Sequence, residues 1–279
     1  MIKQEAGRGT SFSLMAITDA DFTRLVTFIK SNYGIDLTQK RQLITGRLST
    51  ALKQKGYSGF GEFVNHLLQT KDETEVTLLL DKLTTNYTFF MREEEHLNYF
   101  RSNIIPEIVR RHQKDKTLAI WSAGCSTGEE PYNITMYLFD YLGAQAQQWD
   151  TRLLATDIST RAMTAAKKGV YELPDTIPAE WKRKYFVKQP SGAYAVSPAV
   201  KNNVIFQPFN LMDPIKFRRK FDVIFCRNVM IYFDQPTKDA LVQRFYNATA
   251  PGGYLLISKS ENLSQNTAYR RLAPSTFQK

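Results

Sequence analysis

Residues 121–132 read Trp121-Ser-Ala-Gly-Cys-Ser-Thr-Gly-Glu-Glu-Pro-Tyr132, and the fold turns on this stretch. The apolar run 118–123 leads into it, and residues 129–142 leave it with helical spacing. A strand, a loop holding Gly124 and Gly128, and then a helix make a nucleotide-type binding turn. In such a turn glycines let ligand atoms approach a backbone that a Cβ would block. The loop lacks the G-x-G-x-x-G spacing of dinucleotide sites. Its helix also opens on Glu129 and Glu130, which would repel a pyrophosphate at the helix N-terminus. Two readings of these acids stand. They complement the helix dipole, or they receive a cationic ligand such as the amino group or sulfonium of S-adenosylmethionine.

On the C-terminal side, apolar runs at 152–156, 204–208, 221–226 and 254–258 alternate with helical stretches at 160–168 and 237–250. Strands alternating with helices predict an α/β, Rossmann-like parallel sheet covered on both faces. Residues 171–204 break that rhythm with several prolines and Tyr/Phe/Val pieces, and predict a small inserted β-subdomain. On the N-terminal side the grammar is helical only. Phe22, Leu25, Val26 and Ile29 recur at i, i+3, i+4 and i+7, with Thr18 and Asp21 as a capping start and Gly34 as a left-handed stop. Ile44, Leu48, Ala51 and Leu52 repeat the pattern, and 60–69 and 72–83 read as two more helices. A longer helix over 93–112, with Pro106 as a kink, is expected between the halves. The organisation is therefore a loose terminus over 1–17, an all-helical domain over 18–83, a linker and connecting helix over 84–116, and the sheet-bearing domain over 117–279.

Composition narrows the class. In 279 residues, 43% hydrophobic and 23% charged content is ordinary for a globular chain that buries a core. Two cysteines, Cys125 and Cys226, suggest no disulfide framework and a reducing, cytoplasmic setting. His66, His96 and His112 have no paired ligand spacing, so no metal site is expected. No apolar run is long enough to cross a membrane. The net charge of +10 is the oddity, and it favours an acidic partner: nucleic acid, anionic lipid or an acidic protein. Residues 38–57 hold Lys40, Arg41, Arg47, Lys53 and Lys55 and no acid, and Lys40 and Arg47 fall on one edge of the predicted helix.

Further candidates lie at the strand ends. The second strand ends on Asp157, placed to accept both hydroxyls of a ribose; an ordinary N-cap explains the same residue. It follows Gly124 by more than the usual spacing of about 20 residues, and segment 143–150 absorbs the difference. The third strand runs into Asn210 and Leu211. The fourth delivers Arg227, Asn228 and Tyr232, and polar groups at a buried strand end cost desolvation unless they bind something. The alternative is an internal polar network tying loops together.

Taken together, Thr84-Thr-Asn-Tyr-Thr-Phe-Phe-Met-Arg-Glu93, the 121–132 loop, the strand Phe221-Asp-Val-Ile-Phe-Cys-Arg-Asn-Val-Met-Ile-Tyr-Phe-Asp234 and Ser260-Glu-Asn-Leu-Ser264 resemble the CheR-type chemotaxis receptor glutamate O-methyltransferases. The likeness runs in order over about residues 17–271, with Lys259 standing where the family more usually has histidine. It implies a helical domain joined to a Rossmann-like methyltransferase domain bearing a small β-subdomain, with S-adenosylmethionine as methyl donor. By the same resemblance Asn86, Thr88 and Arg92 would touch the cofactor from the linker, and Glu129 or Glu130, with Glu129 favoured, would meet its methionine end. Asp157 would hold the ribose, Asn210 and Leu211 would flank the adenine, and Arg227, Asn228 and Tyr232 would line the reacting end.

The implied reaction is esterification of glutamate side chains on the cytoplasmic domain of a chemotaxis receptor by a monomeric enzyme. Arg227, Tyr232 and Arg92 are the catalytic candidates, and the basic edge from Lys40 to Lys55 is a candidate docking face for acidic receptor helices. Two other classes are weighed against it. Methyltransferases of exocyclic base amines carry an Asp/Asn-Pro-Pro-Tyr turn where this chain reads Cys226-Arg-Asn-Val-Met-Ile-Tyr232, so nucleic acid is not the expected substrate. A non-catalytic adaptor would not require Asp157, Arg227 and Tyr232.

Overall fold

The structure, a computed structural model, describes residues 14–279. Of the loose terminus expected over 1–17, residues 1–13 lie outside the described residues. Residues 14–17 are tied down: Met15 N donates to Ser49 Oγ at 3.0 Å, and Ile17 is buried. The chain divides into two compact units, one taking residues up to Lys30 with Leu37–Leu83, the other Ser31–Asp36 with Thr84–Lys279.

The first unit is helical. It comprises α1 (Asp19–Tyr33, whose last turn belongs to the second unit), α2 (Arg41–Gln54), α3 (Phe60–Thr70) and α4 (Glu73–Leu83). The α1 cap is reciprocal, with Asp21 N donating to Thr18 Oγ1 at 3.1 Å and the Thr18 hydroxyl donating to Asp21 Oδ2 at 2.7 Å. Leu25, Ile29, Ile44, Leu48, Leu52, Phe63 and Leu79 are all but fully buried. Each contributes about 1.5–3 kcal/mol relative to exposure. Arg41, Arg47 and Lys55, among the basic residues singled out around α2, grip their own unit. Arg41 bonds Asp19 and the Ile17 carbonyl and lies over the Phe22 ring. Arg47 donates to the Leu83 carbonyl at 3.1 Å, capping α4, and Lys55 pairs with buried Glu75 at 3.0 Å. Lys40 and Lys53 are exposed.

In the second unit the helix expected over 93–112 runs without a gap from Glu94 to Arg111, but its geometry changes midway. α5 (Glu94–Tyr99) passes through a π turn (Phe100–Ile104) into α6 (Ile105–Arg111). Pro106 lacks the N–H that would close an α turn, and the wider turn just before it absorbs the defect.

There follow β1 (Ile120–Ala123), α7 (Glu129–Leu142), β2 (Leu153–Asp157), α8 (Thr160–Lys168), β3 (Val170–Tyr171), α9 (Ala179–Tyr185), β4 (Phe186–Lys188), β5 (Tyr194–Val196) and α10 (Pro198–Lys201). The chain ends with β6 (Val204–Pro208), β7 (Phe221–Cys226), α11 (Gln235–Ala248), β8 (Thr249–Ile257), β9 (Arg270–Ala273) and β10 (Thr276–Gln278). The main sheet has the order β6-β2-β1-β7-β8-β10-β9, parallel from β6 to β8 and antiparallel beyond. β3, β5 and β4 form a separate antiparallel sheet in the insertion.

β8 starts earlier than the apolar run suggests, because Gly253 lets its backbone close on β7: a Cβ there would lie 2.9 Å from the Phe221 carbonyl. β9 and β10 have no counterpart in the sequence reading. Arg270, Arg271 and Leu272 are exposed, so β9 carries no apolar alternation to read.

The chain leaves β1 toward β2 on one side, and β7 returns to its other side. Ligands of open α/β sheets bind at such a switch point, outside the carboxyl ends of the strands. β1 is seated there by Trp121, whose indole N–H donates to Thr156 Oγ1 at 2.9 Å and whose ring meets Phe209, Phe217, Phe221 and Phe245.

Candidate active site

The loop after β1 doubles back on itself. Gly124, Ser126 and Gly128 all have left-handed backbone, with φ of 87°, 49° and 97°. The space over both glycines is taken by protein. A Cβ on Gly124 would lie 2.3 Å from Val229 Cγ2, and one on Gly128 would lie 2.9 Å from Ala166 and 3.0 Å from the Tyr171 hydroxyl. Close approach is thus required as the sequence suggests, but it is the loop after β7 and the helix α8 that approach.

Asp157 joins the two halves of the switch point. Its Oδ2 accepts the Ser126 amide at 2.7 Å and its Oδ1 accepts the Ser159 amide at 2.9 Å. The linker is wired into the same place: the Ser126 hydroxyl donates to the Asn86 carbonyl at 2.9 Å, and Asn86 Nδ2 reaches Ser159 Oγ at 3.2 Å. Thr88 is half-buried, as Asn86 is.

The two loop acids have different partners. Glu130 accepts from the Ser122 hydroxyl at 2.7 Å and from Arg227 Nη1 at 2.9 Å. Glu129 is buried, accepts the Thr127 hydroxyl at 2.7 Å, and has no ion-pair partner among the described residues. Burial pushes its carboxyl pKa up. The field here is negative. The Cys125 thiol is driven well above its ordinary range first by burial, then by Asp157, Glu130 and Glu129. Burying a carboxylate without a cation is costly, so the turn suits a cationic ligand and disfavours a polyanion. S-adenosylmethionine, with its sulfonium, amino group and ribose diol, fits this donor and acceptor set.

Arg227 and Asn228 follow β7 and enter an internal network. Arg227, whose side chain is 3% exposed, reaches Glu130, the Arg92 carbonyl at 2.5 Å and Glu93 at 3.4 Å, while its Nε is buried without a partner among the described residues. Asn228, left-handed at φ 60°, donates to Glu93 Oε1 at 3.1 Å and to Ser258 Oγ at 2.8 Å. Glu93 is the node. Burial raises its carboxyl pKa, but His96, Arg227, Asn228 and Ser258 outweigh burial and hold it well below the usual carboxylate range.

The remaining candidates bond as follows. Tyr232 lies in the short 3-10 turn Met230–Tyr232; its carbonyl accepts the Asp36 amide at 2.8 Å, and its hydroxyl has no partner among the described residues. Arg92 donates to the Tyr87 carbonyl at 2.6 Å. Asn210 bonds the Asn32 carbonyl and the Met212 amide, and buried Leu211 offers its carbonyl to Arg244.

Sequence reading passed over Glu93, Ser126, Ser159, Ser258 and Glu261. Glu93 and Glu261 do stand inside quoted motifs, so their position was the available signal. Glu261, buried, accepts the Ser258 amide at 2.9 Å.

A parallel sheet with this switch point, an acid-lined turn after β1 and a carboxylate at the end of β2 define a Rossmann-like S-adenosylmethionine-dependent methyltransferase. Residues 86–278 match the family described as CheR methyltransferase, SAM binding domain, and residues 20–84 match its all-alpha domain. The chain belongs to the CheR methyltransferase family. It is 37% identical over 269 residues to a chemotaxis protein methyltransferase of Borreliella burgdorferi, covering 94% of this chain and 95% of that one. It is 33% identical to chemotaxis protein methyltransferase 1 of Pseudomonas aeruginosa, over 90% of this chain and 93% of that one. The Escherichia coli chemotaxis protein methyltransferase is 36% identical, over 90% of this chain and 87% of that one.

Proposed function

We propose that this chain esterifies glutamate side chains on the cytoplasmic domain of a chemotaxis receptor, as a cytoplasmic monomer. The observation that carries the reading is Glu129, a buried carboxylate lacking a cation beside Asp157 in a left-handed glycine turn, in a chain of this family. Glu129 would meet the charged methionine end of the cofactor, and Asp157 the ribose. Asn86, Thr88, Gly124, Asn210 and Leu211 would complete the cradle. Glu130 is already neutralised by Arg227, which favours Glu129 for the cation.

Bound there, S-adenosylmethionine supplies an electrophilic methyl group on a cationic sulfur. A glutamate carboxylate is ionised at neutral pH, with an ordinary pKa of about 4.3. The protein therefore needs no general base, and its task is to align, desolvate and hold. The Tyr232 hydroxyl would orient the incoming carboxylate, with Arg92 beside it. Arg227 has both terminal nitrogens engaged within the protein, and would act by holding Glu93, Glu130 and Asn228 in register.

Residues 18–83 would form the helical domain, with 84–116 linking it to the transfer domain at 117–279 and its 171–204 insertion. The basic edge around α2, from Lys40 through Arg41, Arg47 and Lys53 to Lys55, would meet acidic receptor helices, with exposed Lys40 at its start. The test is transfer from tritium-labelled S-adenosylmethionine to a receptor cytoplasmic fragment, read as alkali-labile methanol. Release from the fragment, with none to DNA or RNA, is expected. Label transferred only to nucleic acid would overturn the reading.

A further inference from the structure

Residues 85–89 belong to no helix or strand, yet their exposure alternates. Thr85, Tyr87 and Phe89 are exposed, while Asn86 and Thr88 are half-buried. In extended chain successive side chains point to opposite sides. The inner side is committed to the cofactor turn through Asn86, Ser126 and Ser159.

The outer side is a built surface. Tyr87 is 69% exposed and Phe89 is 40% exposed. Their ring centroids lie 5.7 Å apart. The Arg92 guanidinium lies 5.7 Å from one ring and 6.0 Å from the other. Arg92 is also anchored on the Tyr87 carbonyl, so the cation and both rings are positioned before anything binds. Tyr and Arg are the side chains that most often carry binding energy at protein interfaces, because each offers apolar area and a polar tip. Of the acids that follow directly, Glu93 bonds Arg227 and Asn228 and Glu95 pairs with Lys259, so the Arg92 guanidinium gives the ledge its charge and suits a partner that is acidic and partly apolar.

Resting on the function proposed above, the geometry points to Tyr87, Phe89 and the Arg92 guanidinium as the docking ledge for the acidic, amphipathic helical segment that flanks the target glutamate. The run thereby has a division of labour, with even positions turned to the methyl donor and odd positions to the protein that receives the methyl group.

The test uses the full chain and steady-state methylation of a receptor cytoplasmic fragment, with S-adenosylmethionine affinity measured separately by calorimetry. The double variant Tyr87→Ala with Phe89→Ala is expected to raise KM for the fragment at least about tenfold, leaving kcat at saturation and cofactor affinity at wild-type values. Tyr87→Phe with Phe89→Tyr, which keeps both rings, is expected to retain the wild-type KM. An unchanged fragment KM in the alanine variant overturns the ledge, and so does a fall in cofactor affinity in its place, which would make the rings a cover for the cofactor. A wild-type protein that binds cofactor but leaves the fragment unmethylated overturns the functional reading instead, and the named partner with it.

Discussion

The two ends of the parallel strands treat charge differently. At the amino end, His112 sits between Asp222, at 2.9 Å from Nε2, and Asp115, at 3.0 Å from Nδ1, and Asp222 also accepts the Ala119 amide at 2.9 Å. At the carboxyl end, Arg227, Glu93, Glu130 and Asn228 interlock, but among the described residues Glu129 lacks a cation, and Arg227 Nε and Glu261 Oε1 are buried without hydrogen-bond partners. The first cluster closes on itself and fastens α6 to β1 and β7. The second keeps unfilled bonding capacity and left-handed backbone at Gly124, Ser126, Gly128 and Asn228. Left-handed backbone and a buried acid without a cation at a topological switch point are the features expected of a binding end.

The largest effect is expected from breaking the carboxyl-end network. Arg227→Met leaves half-buried Glu93 and Glu130 beside an apolar chain and should cost about 3 kcal/mol of stability. Urea denaturation reads this, and a loss under about 1 kcal/mol would mean that the network relaxes into solvent. Next is Gly124→Ala, which combines positive φ with overlap on Val229 and should cost about 2 kcal/mol or more. Adding Val229→Ala should recover the overlap share and not the backbone share, so full recovery would show that φ is not the constraint.

Tyr232→Phe should lower turnover roughly 10- to 100-fold with little change in cofactor affinity; unaltered turnover would remove the hydroxyl from the acceptor site. The smallest effect belongs to the closed end. Burial lowers the His112 pKa, but Asp222 and Asp115 outweigh it, and the net value lies above the ordinary 6.5. A raised folded pKa stabilises fully below the unfolded value, and the gain fades as pH rises through the folded one. Wild type should therefore exceed His112→Gln by about 1 kcal/mol near pH 6, with the gap narrowing toward about pH 9. A gap that is flat across this range would show that the imidazole is not charged.

Much of this was legible in residue order. Helical spacing in 18–83 and the strand-loop-helix reading of 118–142 need only local periodicity and turn chemistry, and both are properties of neighbouring residues. Pro106 was correctly marked as a defect, but its repair by a π turn depends on what the helix packs against. The fourth strand end leaves two alternatives open, a ligand or an internal network. Arg227 and Asn228 take part in such a network, with Glu93 at its centre. That carboxylate stands more than a hundred positions before its partners, so no local pattern could announce the pairing.

From the order of its residues alone, the chain was determined to be a helical unit followed by a parallel α/β sheet, with a glycine turn edged by acids. Those features arise from side-chain periodicity and backbone freedom, which act over a few residues. Only the tertiary structure decided which acid keeps its charge unpaired, that Val229 and Ala166 occupy the space above the glycines, and that Arg227 is held by the protein itself. Desolvation and ion pairing depend on which distant groups the fold brings within a few ångströms, and the chain order does not contain that distance.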